Sequence, residues 1–224
     1  TDIYTAFVKN LTTGEIIDQI PNVYIFGSLE WSNCGHYIFY TTVDEMQRPC
    51  RLWRHEVGSD VANDALLYEE TDVTFTLFIS KSQSGQFIFA YSNSTMTTEV
   101  RLLDADKPLA DIQLFAKRER GIIYDIEHWH DEFFILTNEQ ALNFKLQRCP
   151  INNFTARTDV IRYDEKRYLQ NLFPFKEKVL ITGRENGLNQ IWLLENNQHV
   201  PFTWDEPIYT LNFLGRQSFE ADEV

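Results

Sequence analysis

The feature that most constrains this sequence is a set of short apolar runs that recur at a nearly constant spacing. The runs centre on Phe39, Phe89, Ile135 and Ile181, so successive runs lie 50, 46 and 46 residues apart. They consist largely of aromatic and aliphatic residues that favour β-strands. The chain shows little of the periodicity of a long amphipathic helix. We therefore predict an all-β fold built from one repeated unit.

Each repeated unit contains four strand signals. In the first complete unit they cover residues 28–31, 37–40, 51–57 and 65–69. Four strands in roughly 40–50 residues is the pattern of a β-propeller, whose blades are four-stranded antiparallel sheets. A β-sandwich or a pair of small β domains is the structural alternative. The even spacing and the absence of a linker favour the propeller.

The spacing also sets the predicted boundaries of the blades. Complete blades are expected at about residues 27–71, 73–118, 120–164 and 167–206. Residues 1–24 are expected to form the last two strands of an earlier blade, with a hairpin at Thr13-Gly14, and residues 207–224 the first strand of a further one. The chain is thus expected to be an incomplete propeller, open at both ends, that is either partly disordered at its ends or self-associated through unpaired strand edges.

Side-chain alternation along a strand assigns the core face of the first complete blade. Trp31 and Phe39 are predicted to face the core from its first and second strands. Glu30 and Tyr40, their neighbours, are expected to point to the opposite side.

The charge balance narrows the range of partners. The chain has 33 acidic and 20 basic residues, a net charge of −13. This charge repels phosphate backbones and attracts basic peptides or cations, so nucleic acid is not an expected partner. The acidic pairs fall in connections and are predicted to be solvated loops; they lie at residues 44–45, 69–70 and 205–206, with a further acidic group at 220–223.

The sequence lacks the residue patterns of an active site. It contains no Gly-x-Ser-x-Gly nucleophile motif, and Ser84-Gly85 is predicted to form a hairpin turn. His128, His130 and Asp131 could supply metal ligands, but their spacing places them at a hairpin tip, where a solvated turn is the preferred interpretation. His55 is interpreted as an isolated strand or turn residue. We predict no catalytic, cofactor-binding or metal-binding residue in the chain.

The cysteines and the hydropathy bear on location. Cys34, Cys50 and Cys149 are too few and too widely spaced for a disulfide framework. Reduced thiols indicate the cytoplasm, with the periplasm as the alternative. No apolar run is long enough to span a bilayer, so no membrane association is expected.

Several local segments resemble the oligopeptidase B branch of the prolyl oligopeptidase family. The similarity is most specific over residues 27–106 and weaker after about residue 140. Its segments are LEWSNCG at 29–35, DEMQRP at 44–49, RHEVGSD at 54–60, SKSQSG at 80–85, TEVRLLDA at 98–105 and ILTN at 135–138.

The resemblance implies a fold and a function for the chain. In that family a seven-bladed propeller covers an α/β-hydrolase domain that carries Ser, Asp and His and cleaves short peptides, in this branch after Lys or Arg. None of those catalytic positions maps onto the present residues, so the resemblance implies a substrate-gating domain that is itself non-catalytic and needs no cofactor. Its implied partners are short basic peptides and the C-terminal hydrolase domain of the same polypeptide.

One connection is predicted to act as the gate. Asp44, Glu45 and Arg48 lie in the long connection between a second and a third strand, and such connections often carry function. We expect this loop to be mobile and close to the substrate path. The alternative for the whole chain is a free-standing propeller that acts as a protein-interaction scaffold.

Overall fold

The computed structural model describes residues 2–27, 29–195, 198–206, 209 and 218–221. The chain folds as two compact units, residues 1–118 and 119–224. Every sheet in the described residues is antiparallel and joins strands that are consecutive in the chain. This confirms the predicted all-β fold of four-stranded antiparallel sheets. Most of the further strand predicted at residues 207–224 lies outside the described residues.

The first unit contains one two-stranded and two four-stranded sheets. The two-stranded sheet pairs β1 (Ile3–Lys9) with β2 (Ile16–Tyr24). The next sheet is built from β3 (Leu29–Trp31), β4 (Tyr37–Val43), β5 (Pro49–Glu56) and β6 (Ala65–Glu69). The third consists of β7 (Thr76–Lys81), β8 (Phe87–Asn93), β9 (Thr98–Asp104) and β10 (Gln113–Ala116).

The second unit contains two four-stranded sheets. The first is built from β11 (Tyr124–Trp129), β12 (Glu132–Thr137), β13 (Lys145–Pro150) and β14 (Thr158–Ile161). The second consists of β15 (Arg167–Pro174), β16 (Val179–Glu185), β17 (Leu188–Glu195) and β18 (Gln198–Pro201). Gly183 on β16 packs so closely on β15 that an added Cβ would collide with the carbonyl oxygen of Tyr168.

Two 3-10 turns, Ile25–Gly27 and Val61–Asn63, are the helical segments of the described residues. Within the same part of the chain, no helix is long and apolar enough to cross a bilayer.

Strand β4 is buried on both of its faces. Phe39, 1% exposed, belongs to an apolar cluster that includes Leu77 and Ile79 of the following sheet. Ile38 and Tyr40 point the other way and pack in a second cluster with buried residues of β1 and β2. Burial on both sides explains why this strand is a continuous apolar run and does not alternate apolar with polar residues.

The predicted core position of Trp31 is wrong. In the β3–β4 pair Glu30 lies opposite Phe39, whereas Trp31 lies opposite Ile38. The sequence interpretation therefore placed the register one residue out, and a shift of one residue moves a side chain to the other face. Trp31 is the last residue of the short strand β3 and is 38% exposed. Phe39 is buried as predicted, and Tyr40 does point away from Phe39.

A buried ionic cluster connects the second and third sheets of the first unit. Arg118 lies just after β10, and its Nη2 donates to Glu70 Oε2 at 2.6 Å and to Glu99 Oε1 at 3.0 Å. Its guanidinium also lies over the ring of Phe75, 4.0 Å from the centroid. Glu70 and Glu99 are 2% and 5% exposed. Glu70 is thus not the solvated loop residue that the sequence suggested, because its charge is neutralised by an arginine from the next sheet.

The environment of this cluster favours ionised carboxylates. Burial works to raise the pKa of Glu70 and of Glu99, but the hydrogen bonds from Arg118 and from neighbouring groups together outweigh it and hold both pKa values below their usual range. Arg101 also binds Glu99, since its Nη1 donates to Glu99 Oε1 at 2.6 Å. Removal of Arg118 would leave these two buried carboxylates without enough positive charge nearby to offset the cost of burying them.

We predict that replacing Phe39 with Ala lowers the free energy of unfolding by about 3–5 kcal/mol, because the side chain fills a closed cluster between two sheets. The measurement is urea-induced unfolding of the wild type and the variant. Trp31→Ala is the matched control and should shift the unfolding midpoint much less. A larger shift for Trp31→Ala than for Phe39→Ala would contradict the observed register.

We predict that Arg118→Met destabilises the chain by about 3–5 kcal/mol, the usual effect of removing one partner of a buried ion pair. Lys107→Met is the control, since Lys107 pairs with Asp104 at the surface and is 73% exposed, and should leave the unfolding midpoint nearly unchanged. The pKa values of Glu70 and Glu99 are depressed in the folded chain. The stability that these two carboxylates contribute should therefore be present above about pH 4.3 and disappear as the pH falls through the depressed pKa values. Equal midpoints for both variants would show that the cluster contributes no net stability.

Candidate functional site

The connection between β4 and β5, predicted as a gate, is a tight hairpin with a well-defined base. Asp44 Oδ1 accepts hydrogen bonds from the backbone N–H groups of Met46 and Arg48, and its Oδ2 lies 2.9 Å from Arg48 Nε. Gln47 has a positive φ of 63°, as a tight turn requires. The hydrogen bonds from Arg48 hold the pKa of Asp44 below its usual value. Asp44 and Arg48 thus fix the shape of the hairpin.

Arg48 also connects the hairpin to the chain segment that leads into the next sheet. Its Nη1 donates to the carbonyl oxygen of Phe75 at 2.8 Å and to that of Asp72 at 3.2 Å. Its Nη2 donates to the carbonyl oxygen of Glu70 at 3.1 Å. A single guanidinium therefore binds three backbone carbonyls of the connection between β6 and β7. The planar shape and multiple N–H groups of arginine suit this task, which a lysine ammonium would do poorly.

The tip of the hairpin stands beside a cleft of about 880 Å³ in the first unit. Glu45, Met46 and Gln47 are exposed, and Met46 is 85% exposed. The cleft is also lined by Tyr40 and Trp53 and by Asn22 near the end of β2. The three predicted gate residues thus separate into two groups: Glu45 lines the cleft from the exposed tip of the hairpin, whereas Asp44 and Arg48 pair at the base of the hairpin.

The cleft has the chemistry of a binding surface without reactive groups. The Trp53 indole Nε1 donates to Thr42 Oγ1 at 2.9 Å, and the Tyr40 hydroxyl donates to Asp64. Arg51 pairs with Glu69 at 2.8 Å. Among the described residues that line it there is no serine, cysteine or histidine. It offers aromatic surface and the carboxylates of Asp44, which is paired with Arg48, and of Glu45, but no nucleophile with an adjacent base.

The candidate metal ligands of the second unit do not come together. His128 is a buried residue of β11 that packs edge-on against Phe133, with ring centroids 5.6 Å apart. The prediction that it lies at a hairpin tip is wrong, because β11 continues through Trp129 and the turn begins at His130. His130 is exposed and has a positive φ of 55°, so the alternation that would place the two rings on one face is interrupted. No group of three metal-binding side chains occurs in the described part of the chain.

Sequence reasoning missed the polar groups that join neighbouring sheets. His55, interpreted as an isolated residue, is fully buried between Asp18 and Asp64. Glu70 and Arg118, 48 residues apart, form the ionic cluster described above. This separation matches the repeat spacing and is the signal that could have paired them, since residues one repeat apart occupy equivalent places in neighbouring blades.

Comparison with known proteins identifies the family of this chain. Residues 1–223 match the family model of the prolyl oligopeptidase N-terminal β-propeller domain. The chain is 57% identical over its whole length to Protease 2 of Moraxella lacunata and covers 33% of that protein. It is 30% identical to dipeptidyl aminopeptidase BI of Pseudoxanthomonas mexicana, with 98% of this chain and 31% of that protein aligned.

The fold agrees with these sequence matches. The structure of oligopeptidase B from Leishmania major superposes with a TM-score of 0.85 at 27% identity, over 92% of this chain and 31% of that one. The chain thus spans about a third of the length of the relatives it matches. The segments singled out in the sequence and the stacked four-stranded sheets lead to the same assignment: the chain belongs to the prolyl oligopeptidase family, as its N-terminal β-propeller domain.

Proposed function

We propose that this chain is the substrate-gating domain of a serine oligopeptidase that cleaves short peptides after Lys or Arg. The observation that carries the proposal is the 57% identity to Protease 2 over the entire chain. Catalysis in this proposal belongs to a C-terminal α/β-hydrolase domain of the same polypeptide, which supplies Ser, Asp and His. The propeller contributes selection of the substrate and no reacting group.

Selection by size follows from the stiffness of stacked sheets. The strands are held on both faces by closed apolar clusters and at their edges by buried ion pairs. A wall of this kind does not deform to admit a folded protein, whereas a short flexible peptide needs only a narrow passage. The net charge of −13 adds a preference for basic peptides, because a negative field raises their local concentration.

Within this function, the hairpin between β4 and β5 is proposed to meet the incoming peptide. The exposed tip, with Glu45 at the lip of the cleft, is the part that a peptide can touch. Asp44 and Arg48 keep the tip in place through their mutual ion pair and the three carbonyl contacts of Arg48. In this proposal the part of the hairpin that moves is therefore limited to residues 45–47.

A reducing cytoplasm is the proposed location. Cys34, Cys50 and Cys149 are all free. Burial raises the pKa of Cys50, and it raises that of Cys149 to about 11, so both thiols stay protonated and unreactive at neutral pH. Cell fractionation with an antibody to the protein tests this location directly.

We predict that the 224-residue chain alone hydrolyses no peptide, whereas the longer polypeptide that contains it cleaves after Lys and Arg. Both proteins are incubated with chromogenic peptides ending in Arg, Lys or Leu, with and without a covalent serine-directed inhibitor. Inhibitor-sensitive turnover by the chain alone would contradict the proposal that catalysis belongs to a separate hydrolase domain. A longer polypeptide without peptidase activity would favour a protein-interaction scaffold instead.

We predict that Glu45→Ala in the active polypeptide lowers kcat/KM several-fold for long basic peptides and much less for dipeptide-sized substrates, because only long substrates reach the hairpin tip. Arg48→Ala should have the larger effect, since it removes the anchor of the hairpin. Asp111→Ala, an exposed acidic residue in the connection between β9 and β10, is the control for charge. Equal effects of Glu45→Ala on long and short substrates would identify the hairpin as an ordinary surface loop.

A further inference from the structure

A buried histidine of the first unit lies between two carboxylates. His55 is a β5 residue with no exposed surface. Its Nδ1 is 2.7 Å from Asp64 Oδ1, and its Nε2 is 2.8 Å from Asp18 Oδ2. Both carboxylates are themselves buried, with side chains 9% exposed for Asp18 and 2% for Asp64. Each ring nitrogen thus has one carboxylate oxygen at hydrogen-bond distance.

The two carboxylates come from different parts of the first unit. Asp18 lies on β2 of the two-stranded sheet, and the backbone N–H of Gly58 also donates to its Oδ2. Asp64 follows the 3-10 turn between β5 and β6, and the Tyr40 hydroxyl donates to its Oδ2 at 2.7 Å. His55 therefore connects the β1–β2 hairpin to the sheet of β3 to β6.

The surroundings of His55 supply no competing cation. Asp18, Asp64 and Tyr40 are the titratable groups at the site, contributed by β2, the turn before β6, and β4. The residues paired with Asp18 on β1 and with His55 on β4 are Val8 and Ile38, neither of which titrates. Among the described residues, no lysine or arginine forms an ion pair with either carboxylate.

The geometry matches the doubly protonated ring. A neutral imidazole carries one N–H group, so it can donate to one carboxylate only and presents a lone pair to the other. An imidazolium donates from both nitrogens and neutralises part of the charge of the pair. Burial opposes the charged ring, but the hydrogen bonds to Asp18 and Asp64 outweigh it and raise the pKa of His55 above its ordinary value.

We propose that Asp18, His55 and Asp64 form a protonation-dependent clamp that fastens the β1–β2 hairpin to the neighbouring four-stranded sheet and releases it at alkaline pH. The clamp is complete below the ordinary histidine pKa of about 6.5 and weakens as the pH rises through the raised pKa of the folded state. Loss of the second N–H leaves a buried carboxylate facing a lone pair, which favours local opening of the hairpin.

At low pH the clamp weakens for a different reason, the protonation of Asp18. Burial works to raise the pKa of Asp18, but its hydrogen bonds from His55 and Gly58 hold that pKa below 3.8. The contribution of Asp18 is therefore present above that value and disappears as the pH falls through the depressed pKa. The clamp is therefore complete between the depressed pKa of Asp18 and the raised pKa of His55. A modest rise in pH from neutral weakens it through the loss of the His55 proton.

The first test is a titration of the ring nitrogens in the unmodified chain by nuclear magnetic resonance. We expect both nitrogens of His55 to remain protonated at a pH above the ordinary histidine pKa of about 6.5. In Asp18→Asn the midpoint of His55 should fall by about one unit or more, because an adjacent negative charge is removed. A His55 midpoint in the folded wild type that coincides with the midpoint in the urea-unfolded chain, or one unchanged in Asp18→Asn, would overturn the proposal.

The second test is amide hydrogen exchange, corrected for the intrinsic pH dependence of exchange. Between about pH 6 and about pH 9, protection of β1 and β2 should fall several-fold relative to β7 to β10 in the same molecules. His55→Gln should remove this pH dependence, whereas His36→Gln should keep it. Parallel changes in both groups of strands would contradict a local clamp, and the wild-type comparison decides the matter even if His55→Gln does not fold.

Discussion

A strand that is apolar on both faces makes each sheet depend on its neighbours. β4 carries Phe39 toward the following sheet and Ile38 and Tyr40 toward the preceding hairpin. A single four-stranded sheet of this kind would expose one large apolar face whichever side it covered. Stacking is therefore the condition for stability, and the first unit satisfies it with a separate cluster on each side of β4.

Polar groups at the two sheet junctions add specificity to this stacking. On one side His55 lies between two carboxylates, and on the other Arg118 bridges two. His55 and the two carboxylates that Arg118 binds are buried, so a misaligned pair of sheets would leave buried charges without partners. Apolar surfaces alone accept many relative positions, whereas charge pairs of this kind accept very few. The two junctions differ in one respect, because an arginine stays charged at every pH the protein meets and a histidine does not.

The sequence predicted the repeated sheets well because strand spacing depends on local signals. Apolar runs and turn residues are visible within each repeat, and the similarity to known segments around residues 29–60 adds the family. The register of β3 on β4 was less accessible, since one residue more or less in the turn exchanges the faces of Trp31 and Glu30. The partners of His55 were not accessible at all, because Asp18 lies 37 residues away and belongs to another sheet. Glu45 at the cleft could be predicted as exposed, but the anchoring role of Arg48 depends on carbonyl groups that carry no sequence signature.

The contacts of Arg48 have a consequence for how this domain tolerates change in its sequence. The connection of residues 70–75 is bound through the carbonyl oxygens of Glu70, Asp72 and Phe75, which every amino acid possesses. Side chains such as those of Thr71 and Val73 are thus free to vary without loss of these bonds. The number of residues is not free to vary, because one inserted residue would carry at least one carbonyl out of reach of a single rigid guanidinium. Homologous domains and engineered versions should therefore accumulate substitutions in this connection and place their insertions and deletions elsewhere.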